Sequence, residues 1–516
     1  MTQPIIPTKL GRKIIYTDQP FITRENLIDV LTKAKNEHMS NVADIQFLLK
    51  YEKGVQPLNR TKTVRADIDI CDVDNIANQI TEFKLGYDWG YPITLVQRGV
   101  TDSGSNVEPE AIARLNEYYE IAGNRGHQQE LARYVEITGI GYTYVDINTE
   151  YVDGESPFTH DVLDPEFTFV VRSTYYTDKR IVMGVTFTDK NIDGETIYTC
   201  FTPSSRFVVR QLKNIEEYSN PLGIIPIVEW IRAYDRMGCF ERQIPEMDAL
   251  NLLNSDFLND VDQNTQAIWH TNDVDFKVIE IKNEDGTTTK KVQKPANGQW
   301  LQTYTSADGK TPFITPLTIT YDYGGILNNI VTKRQMILAK CDVPQRNDNS
   351  GGSTGIAMSD ASGWSAAEAS ASKKENIQDM CKTAELRVVF RAISKCGNIE
   401  SDNPINGLRL IDVKPYIKRQ KSYEMTVKTN ALATMLSHGI HGLHAIKAIN
   451  FFDDPAQVWE DSKERIEEFQ DSQIKSDTST SESEGSDNII DQVNNSPNID
   501  GMYVEEVEEV EQNPNN

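Results

Sequence analysis

The sequence predicts an α+β protein built from several domains. Three observations carry this. Apolar residues recur at helical spacing in long stretches on either side of a central block of short alternating strands. The chain of 516 residues exceeds what one ordinary domain holds and is long enough to bury a large core. Beyond about residue 470 the composition turns to Ser, Asp, Glu and Asn, which cannot form a core.

The elements follow in order. Pro20 to Lys50 reads as a helix, with Thr23 as N-cap before Leu27, Val30, Leu31 and Ala34. A second helix is expected from Val73 to Gly86, with Ile76, Ile80 and Phe83 on one stripe. The run Tyr87-Asp-Trp-Gly-Tyr-Pro-Ile93 breaks it and starts a strand. Glu108 to Ile137 is expected to be helical and closed by Gly139. The period then changes to two. Strands are expected at Tyr142–Ile147, Phe167–Arg172, Val182–Thr188, Thr196–Phe201 and Arg206–Gln211, punctuated by Gly and Asp turns into an antiparallel meander.

A long helix is expected from Pro245 to Trp269, with Met247, Leu250, Phe257, Val261 and Ile268 at helical spacing. It would measure roughly 37 Å at the usual rise per residue. Strand and turn character follows over 272–322: Asp275–Lys282, a turn at Asp285-Gly286, Thr287–Gln293 and Trp300–Tyr304. A helix from about Gly325 to Cys341 returns, so two helices flank a small β insert, as in a hairpin whose tip is a separate module. After Pro344 the chain reads as a loop to Gly355. A third long helix is expected from Ser365 to Lys395, then a compact helical region to Phe469.

Composition narrows the function. Apolar residues make up 38% and charged residues 25%, an ordinary soluble mixture. Met1 to Arg12 has no apolar run, and the apolar cluster Gly223 to Trp230 is too short to span a bilayer, so a cytoplasmic, non-membrane protein is expected. The six cysteines, at 71, 200, 239, 341, 381 and 396, form no CxxC pair and read as small buried apolar residues. Net charge is −25, but 19 acidic and three basic residues lie from Asp453 onward, leaving the preceding part near −9. Tight DNA binders present a basic face, because release of phosphate counterions drives such binding. Any contact of this chain with DNA should therefore be weak.

Motifs for catalysis or metal binding fail on spacing. Gly309-Lys310-Thr311 ends like a phosphate-binding loop, but the required first glycine falls at Tyr304. Asp189 to Glu195 opens like a calcium loop, but the twelfth position is Cys200 where a bidentate Glu is needed, so a hairpin turn is expected. His438, His441 and His444 are spaced by three beside Gly439 and Gly442, which suits no rigid zinc site. No enzyme, cofactor or metal is expected. Arg346, Lys333, Arg334, Lys340, Lys373 and Lys374 lie in or beside the central helices. They read as solvated helix faces or as sparse phosphate contacts in a channel.

Several segments together resemble the portal proteins of long-tailed phages of Gram-positive bacteria. They are Tyr87 to Ile93, Gly139-Ile-Gly-Tyr-Thr-Tyr-Val-Asp146, and Leu222-Gly-Ile-Ile-Pro-Ile-Val-Glu229. Gly238-Cys-Phe-Glu241, Met247-Asp-Ala-Leu-Asn251, Ser255-Asp-Phe-Leu-Asn-Asp260 and Asn450 to Ile466 follow. Cys239 departs from the usual acid, and Ser437 to His441 follows the pattern only loosely. The resemblance implies a portal fold with an α/β wing, a two-helix stem, a small β-rich clip, a long channel helix and a helical crown. Its partition of this chain is an N-terminal arm 1–19, wing 20–240, stem helix 241–271, clip 272–322, stem helix 323–343, tunnel loop 344–363, long helix 364–398, crown 399–470 and disordered acidic tail 471–516.

It also implies a ring of twelve subunits at one capsid vertex, assembled in the host cytoplasm. The ring would pass double-stranded DNA without reading its sequence, in packaging and in ejection. The implied partners are the terminase large subunit, a head–tail adaptor, and the major capsid and scaffolding proteins. Arg346, Asn347, Asn349, Ser350, Gly351, Gly352, Lys373 and Lys374 are the candidates for the DNA channel, and Lys333, Arg334 and Lys340 those on the stem. Two other function classes compete: an ATPase or nuclease of the packaging motor, against which the failed motifs argue, and a scaffold or tail component without a channel.

Overall fold

The computed structural model describes residues 11–58, 69–98, 109–188, 194–265, 268–272, 278–282, 288–292, 312–317, 322–345, 363–397, 399–419, 425–449, 452 and 457–466. The chain divides after Met425 into two units.

The first unit opens with β1 (Ile15–Thr17) and α1 (Leu27–Glu52). α1 starts at Leu27 rather than Pro20 because Asn26 first closes a turn: its carboxamide oxygen accepts from Thr23 N at 2.8 Å and its NH2 donates to Phe21 O at 2.9 Å. α2 (Ile76–Asp88) is capped by Asn75, β2 is Thr94–Gln97, and the long helix expected before residue 138 is two, α3 (Pro109–Ile121) and α4 (Asn124–Thr138). Gly123, at φ +80°, makes the break, and Gly139, also at φ +80°, closes α4 as expected.

Strands follow: β3 (Ile140–Ile147), β4 (Phe158–Leu163), β5 (Thr168–Ser173), β6 (Ile181–Thr188), β7 (Ile197–Phe201), β8 (Ser205–Arg210), β9 (Asn214–Ser219) and β10 (Ile227–Ile231). They form two sheets. The six-stranded sheet runs β1-β5-β6-β7-β8-β9, an antiparallel meander with β1 added in parallel at its edge. The other runs β10-β3-β4. β1 lies within the span 1–19 expected as an arm, and its Ile15 is buried in the core between α1 and the meander, with Leu27, Leu31, Phe169 and Phe207.

α5 (Ile244–Thr265) ends before Trp269, which lies instead in β11 (Ile268–Asn272). β11 pairs with β14 (Phe313–Leu317), and β12 (Val278–Lys282) pairs with β13 (Thr288–Val292) as a hairpin. The turn at Asp285-Gly286 and the strand expected at Trp300–Tyr304 lie outside the described residues. α6 (Tyr323–Lys340) returns, capped by Asp322, whose carboxylate accepts from Gly325 N at 2.9 Å. α7 (Trp364–Lys395) packs its Leu386 and Val389 with Trp89, Trp230 and Val145 over the three-stranded sheet.

The segment 399–419, the start of the span expected as the crown, packs within the first unit. Its β15 (Val413–Tyr416) pairs with β2, and Ile405, Leu408 and Val413 are buried in the core of the first unit. The second unit contains the helices α8 (Met425–Ser437, whose first residue still belongs to the first unit), α9 (Gly442–Ile449) and α10 (457–466), with the His441 ring 4.7 Å from that of Trp459.

Candidate functional site

The two helices that flank the β insert are joined at their base. Met247 and Leu250 of α5 pack with Ile337 and Leu338 of α6, against Tyr51, Ile80 and Phe240. Each such side chain contributes about 1.5–3 kcal/mol when fully buried. Farther out, the rings of Phe257 and Tyr323 meet edge to face at 5.9 Å. An ion pair between Lys340 and Glu246 links the helices on the surface.

Beyond Met247 and Leu250 the buried face of α5 is not the apolar stripe its spacing suggested. Val261 is exposed, whereas Asn251, Ser255 and Asn259 are 1%, 0% and 1% exposed. These three lie four apart, in one row of the helix. Each holds the backbone of an extended segment that leads into α2. Asn251 accepts from Asp74 N at 3.0 Å, and Ser255 accepts from Asp72 N at 2.9 Å. Asn259 accepts from Ile70 N and donates to Ile70 O, both at 2.9 Å. Helix residues four apart rise about 6.0 Å, and strand residues two apart about 6.6 Å, so the two ladders stay in step over three rungs. Arg334 of α6 grips the end of the same segment, donating to Asp74 at 2.8 Å and to Gln79 at 2.7 Å.

The candidate cations therefore part company. Lys333 and Lys373 are exposed. Arg334 and Lys340 are committed to carboxylates within the hairpin and its support. Lys374 is a correction: it is 6% exposed, and its ammonium sits between Asp88 and Glu136, 2.8 Å from the latter. A phosphate cannot reach it in the folded chain. It read as a surface charge because lysines usually are, and nothing local marks the carboxylates that enclose it. Arg346, Asn347, Asn349, Ser350, Gly351 and Gly352 lie outside the described residues, as do the Gly309-Lys310-Thr311 turn and most of the calcium-like loop. Around that loop, β6 and β7 pair antiparallel with Thr188 opposite Ile197, so the segment connects a hairpin.

Several carboxylates buried among the described residues went unseen in the sequence, Glu136, Glu229, Glu241 and Glu385 among them. Glu136 accepts from Trp89 Nε1 at 2.9 Å, from Lys374 and from Arg232 at 3.1 Å. Burial alone would raise its pKa, but Lys374 and then Arg232 overcome it and hold the carboxyl well below its usual range. Glu229 is treated alike: against its burial, Arg236 at 2.7 Å and Arg172 at 2.8 Å lower its pKa to about 2. Glu385 of α7 accepts from Lys382 at 2.6 Å, Thr143 at 3.0 Å and Tyr119 at 3.1 Å, with His160 at 3.4 Å. Glu241 accepts from Gly11 N at 3.1 Å and Gly238 N at 2.8 Å, and pairs with Arg12.

Each carboxylate is surrounded by cations and hydrogen-bond donors and is closed to solvent. Such groups hold elements together; none is poised as a general base or nucleophile. Glu136 and Glu385 join α4, α7 and the three-stranded sheet, and Glu241 ties the first described residues to the start of α5. Glu229 and Glu241 fall within the sequence runs 222–229 and 238–241 singled out above, and Asn251, Ser255 and Asn259 within 247–260. The recurrent text thus contains buried polar joints. A row of Asn and Ser four apart, where apolar residues should continue, is the signal that could have exposed the α5 ladder.

Among the described residues, no helix is long and apolar enough to cross a membrane. A family model described as phage portal protein, SPP1 Gp6-like, matches residues 27–472. No curated protein matches the chain.

Proposed function

We propose, because the chain belongs to the SPP1 Gp6-like family of phage portal proteins, that its subunits close into a ring at one vertex of the capsid and line the passage for double-stranded DNA. The family is structural, and the role is that of a conduit and docking platform. The work of translocation comes from a separate motor, the terminase, bound at the small β module between α5 and α6. A head–tail adaptor and the capsid and scaffolding proteins are the other partners.

The observation that supports this reading best is the α5–α6 hairpin. Along its length it carries apolar side chains outward: Leu327, Val331 and Met336 of α6 are 47%, 50% and 56% exposed, and Leu252 and Val261 of α5 are also exposed. A lone two-helix hairpin has no second layer to cover them. In a ring, each hairpin lies between two others, through a head-to-tail interface that closes by rotation. The near-neutral, slightly acidic body suits a bore that keeps DNA centred without gripping it. Within the bore we assign the loop 344–363, with Arg346, Asn347, Asn349, Ser350, Gly351 and Gly352, to sparse backbone contact with DNA. Lys333 and Lys373 are exposed cations on the helices that precede and follow it in sequence. Twelve copies is the number we propose for the virion.

Negative-stain imaging of the purified full chain tests the reading. Rings with a central hole wide enough for a duplex are expected. Monomers, or compact oligomers without a hole at all protein concentrations, would overturn it.

A further inference from the structure

We infer that the extended segment 69–75 is a releasable strap which fastens the α5–α6 hairpin to the body of the subunit. The strap deepens the reading above, since it would set how firmly the stem of the ring is tied to the rest, but its release can be measured whatever the chain assembles into.

Three features point this way. First, the three residues of α5 grip the segment by its backbone. Asn251, Ser255 and Asn259 meet the main chain of Asp74, Asp72 and Ile70, and Ser255 also donates to Asp72 O at 3.2 Å. No apolar residue of the strap is fully buried: Ile70 is 39% exposed, Cys71 is exposed and Val73 is half-buried. Second, the helix face beneath is polar where a permanent contact would be apolar. Uncovering Leu at these positions would expose hydrocarbon to water. Uncovering Asn and Ser merely exchanges the strap's hydrogen bonds for those of water, a change that is nearly neutral per bond. Third, the conformational freedom lost by ordering an extended stretch is of the same order as what a few such bonds return. The strap is therefore poised between held and released, whereas the hydrophobic base of the hairpin is not.

The far end of the strap carries a different lock. Asp74 is held by Arg334, which also reaches Gln79 at the start of α2. Asp74 N is bonded to α5 and its carboxylate to α6, so one residue touches both helices of the hairpin. The bond at Asp72, made to α5 alone, would thus open before those of Asp74, which also holds α6.

Hydrogen exchange with mass-spectrometric readout on the full-length chain is the test. Peptides spanning 69–75 should show slow amides at Ile70, Asp72 and Asp74, exchanging about 100-fold faster than those of α5 because they open locally. In the double variant Ser255→Ala, Asn259→Ala they should exchange about 10-fold faster again, with α5 and α2 unchanged. Should that variant fail to fold, Asn259→Ala alone should give a smaller rise confined to the Ile70 end. Exchange of 69–75 as slow as that of α5 would make the strap a fixed part of the core and overturn the inference. So would exchange indifferent to the substitutions. Loss of rings with unchanged exchange behaviour would count against the portal reading and not against the strap.

Discussion

Replacing Glu241 by Ala should unfasten the start of the chain. The carboxylate and the Arg12 guanidinium have fully buried side chains and form an ion pair. The same carboxylate accepts from Gly11 N and Gly238 N, while Arg12 gives one further bond to Thr138 O at 3.2 Å and its backbone N–H bonds Arg236 O at 3.1 Å. The substitution strands a guanidinium and two amides in the interior. Breaking a buried pair by removing one partner costs about 3–5 kcal/mol. For a unit of about 425 residues that corresponds to an apparent melting temperature lower by roughly 3–6 °C. Thermal unfolding at fixed subunit concentration measures it, since oligomerisation would otherwise shift the midpoint. The double variant Arg12→Met, Glu241→Leu removes both charges, and well-packed apolar replacements of a buried pair are commonly neutral or stabilising. It should recover most of the loss. A drop of under 2 °C for Glu241→Ala, or a double variant as unstable as the sum of its parts, would refute the view that this pair anchors the segment.

Lys374→Met should destabilise by a similar about 3–5 kcal/mol by leaving Asp88 and Glu136 buried without their cation; Lys373→Ala should leave thermal stability unchanged, and denaturation of both variants decides. His38 is buried against Phe169, its Nε2 3.0 Å from Glu166 O, and burial lowers its pKa to about 4. Below about pH 6.5 the unfolded chain therefore takes up a proton that the folded chain refuses. Stability should fall from pH 6.5 and level off below 4, by about 3 kcal/mol; His38→Gln, compared with wild type by urea denaturation across this range, should remove that part of the slope. Truncation after residue 472 should leave ring size unchanged in gel filtration, because the acidic tail offers little apolar surface to bury. Deleting Asn347 to Ser353 should leave rings and procapsids intact but lower the DNA packaged per head; full heads at normal yield would place that loop outside the passage.

The helices and the meander were legible because their signals are local. Met247 and Leu250 announce α5, Pro344 closes the region of α6, and the alternation of Phe169 and Val171 fits a strand with one face on a core. So was the order helix, β insert, helix, which needs only a count along the chain. The break at Gly123, the addition of β1 to the meander and the return of β15 to β2 were not. The break needs only one glycine at positive φ inside an otherwise continuous helical pattern, whereas the two strand pairings depend on partners far away: Ile15 opposite Val171, Val413 opposite Gln97. The charged residues show the same divide more sharply. Composition correctly described a mildly acidic body, because net charge is a sum and needs no geometry. Which cation faces solvent is not a sum. Lys373 and Lys374 are neighbours in sequence, but helical rotation by about 100° per residue turns one outward and the other onto Asp88 and Glu136, carboxylates contributed by two other helices. The cost of burying that charge is met only where those partners already stand, so tertiary structure, and not residue type, decided its role.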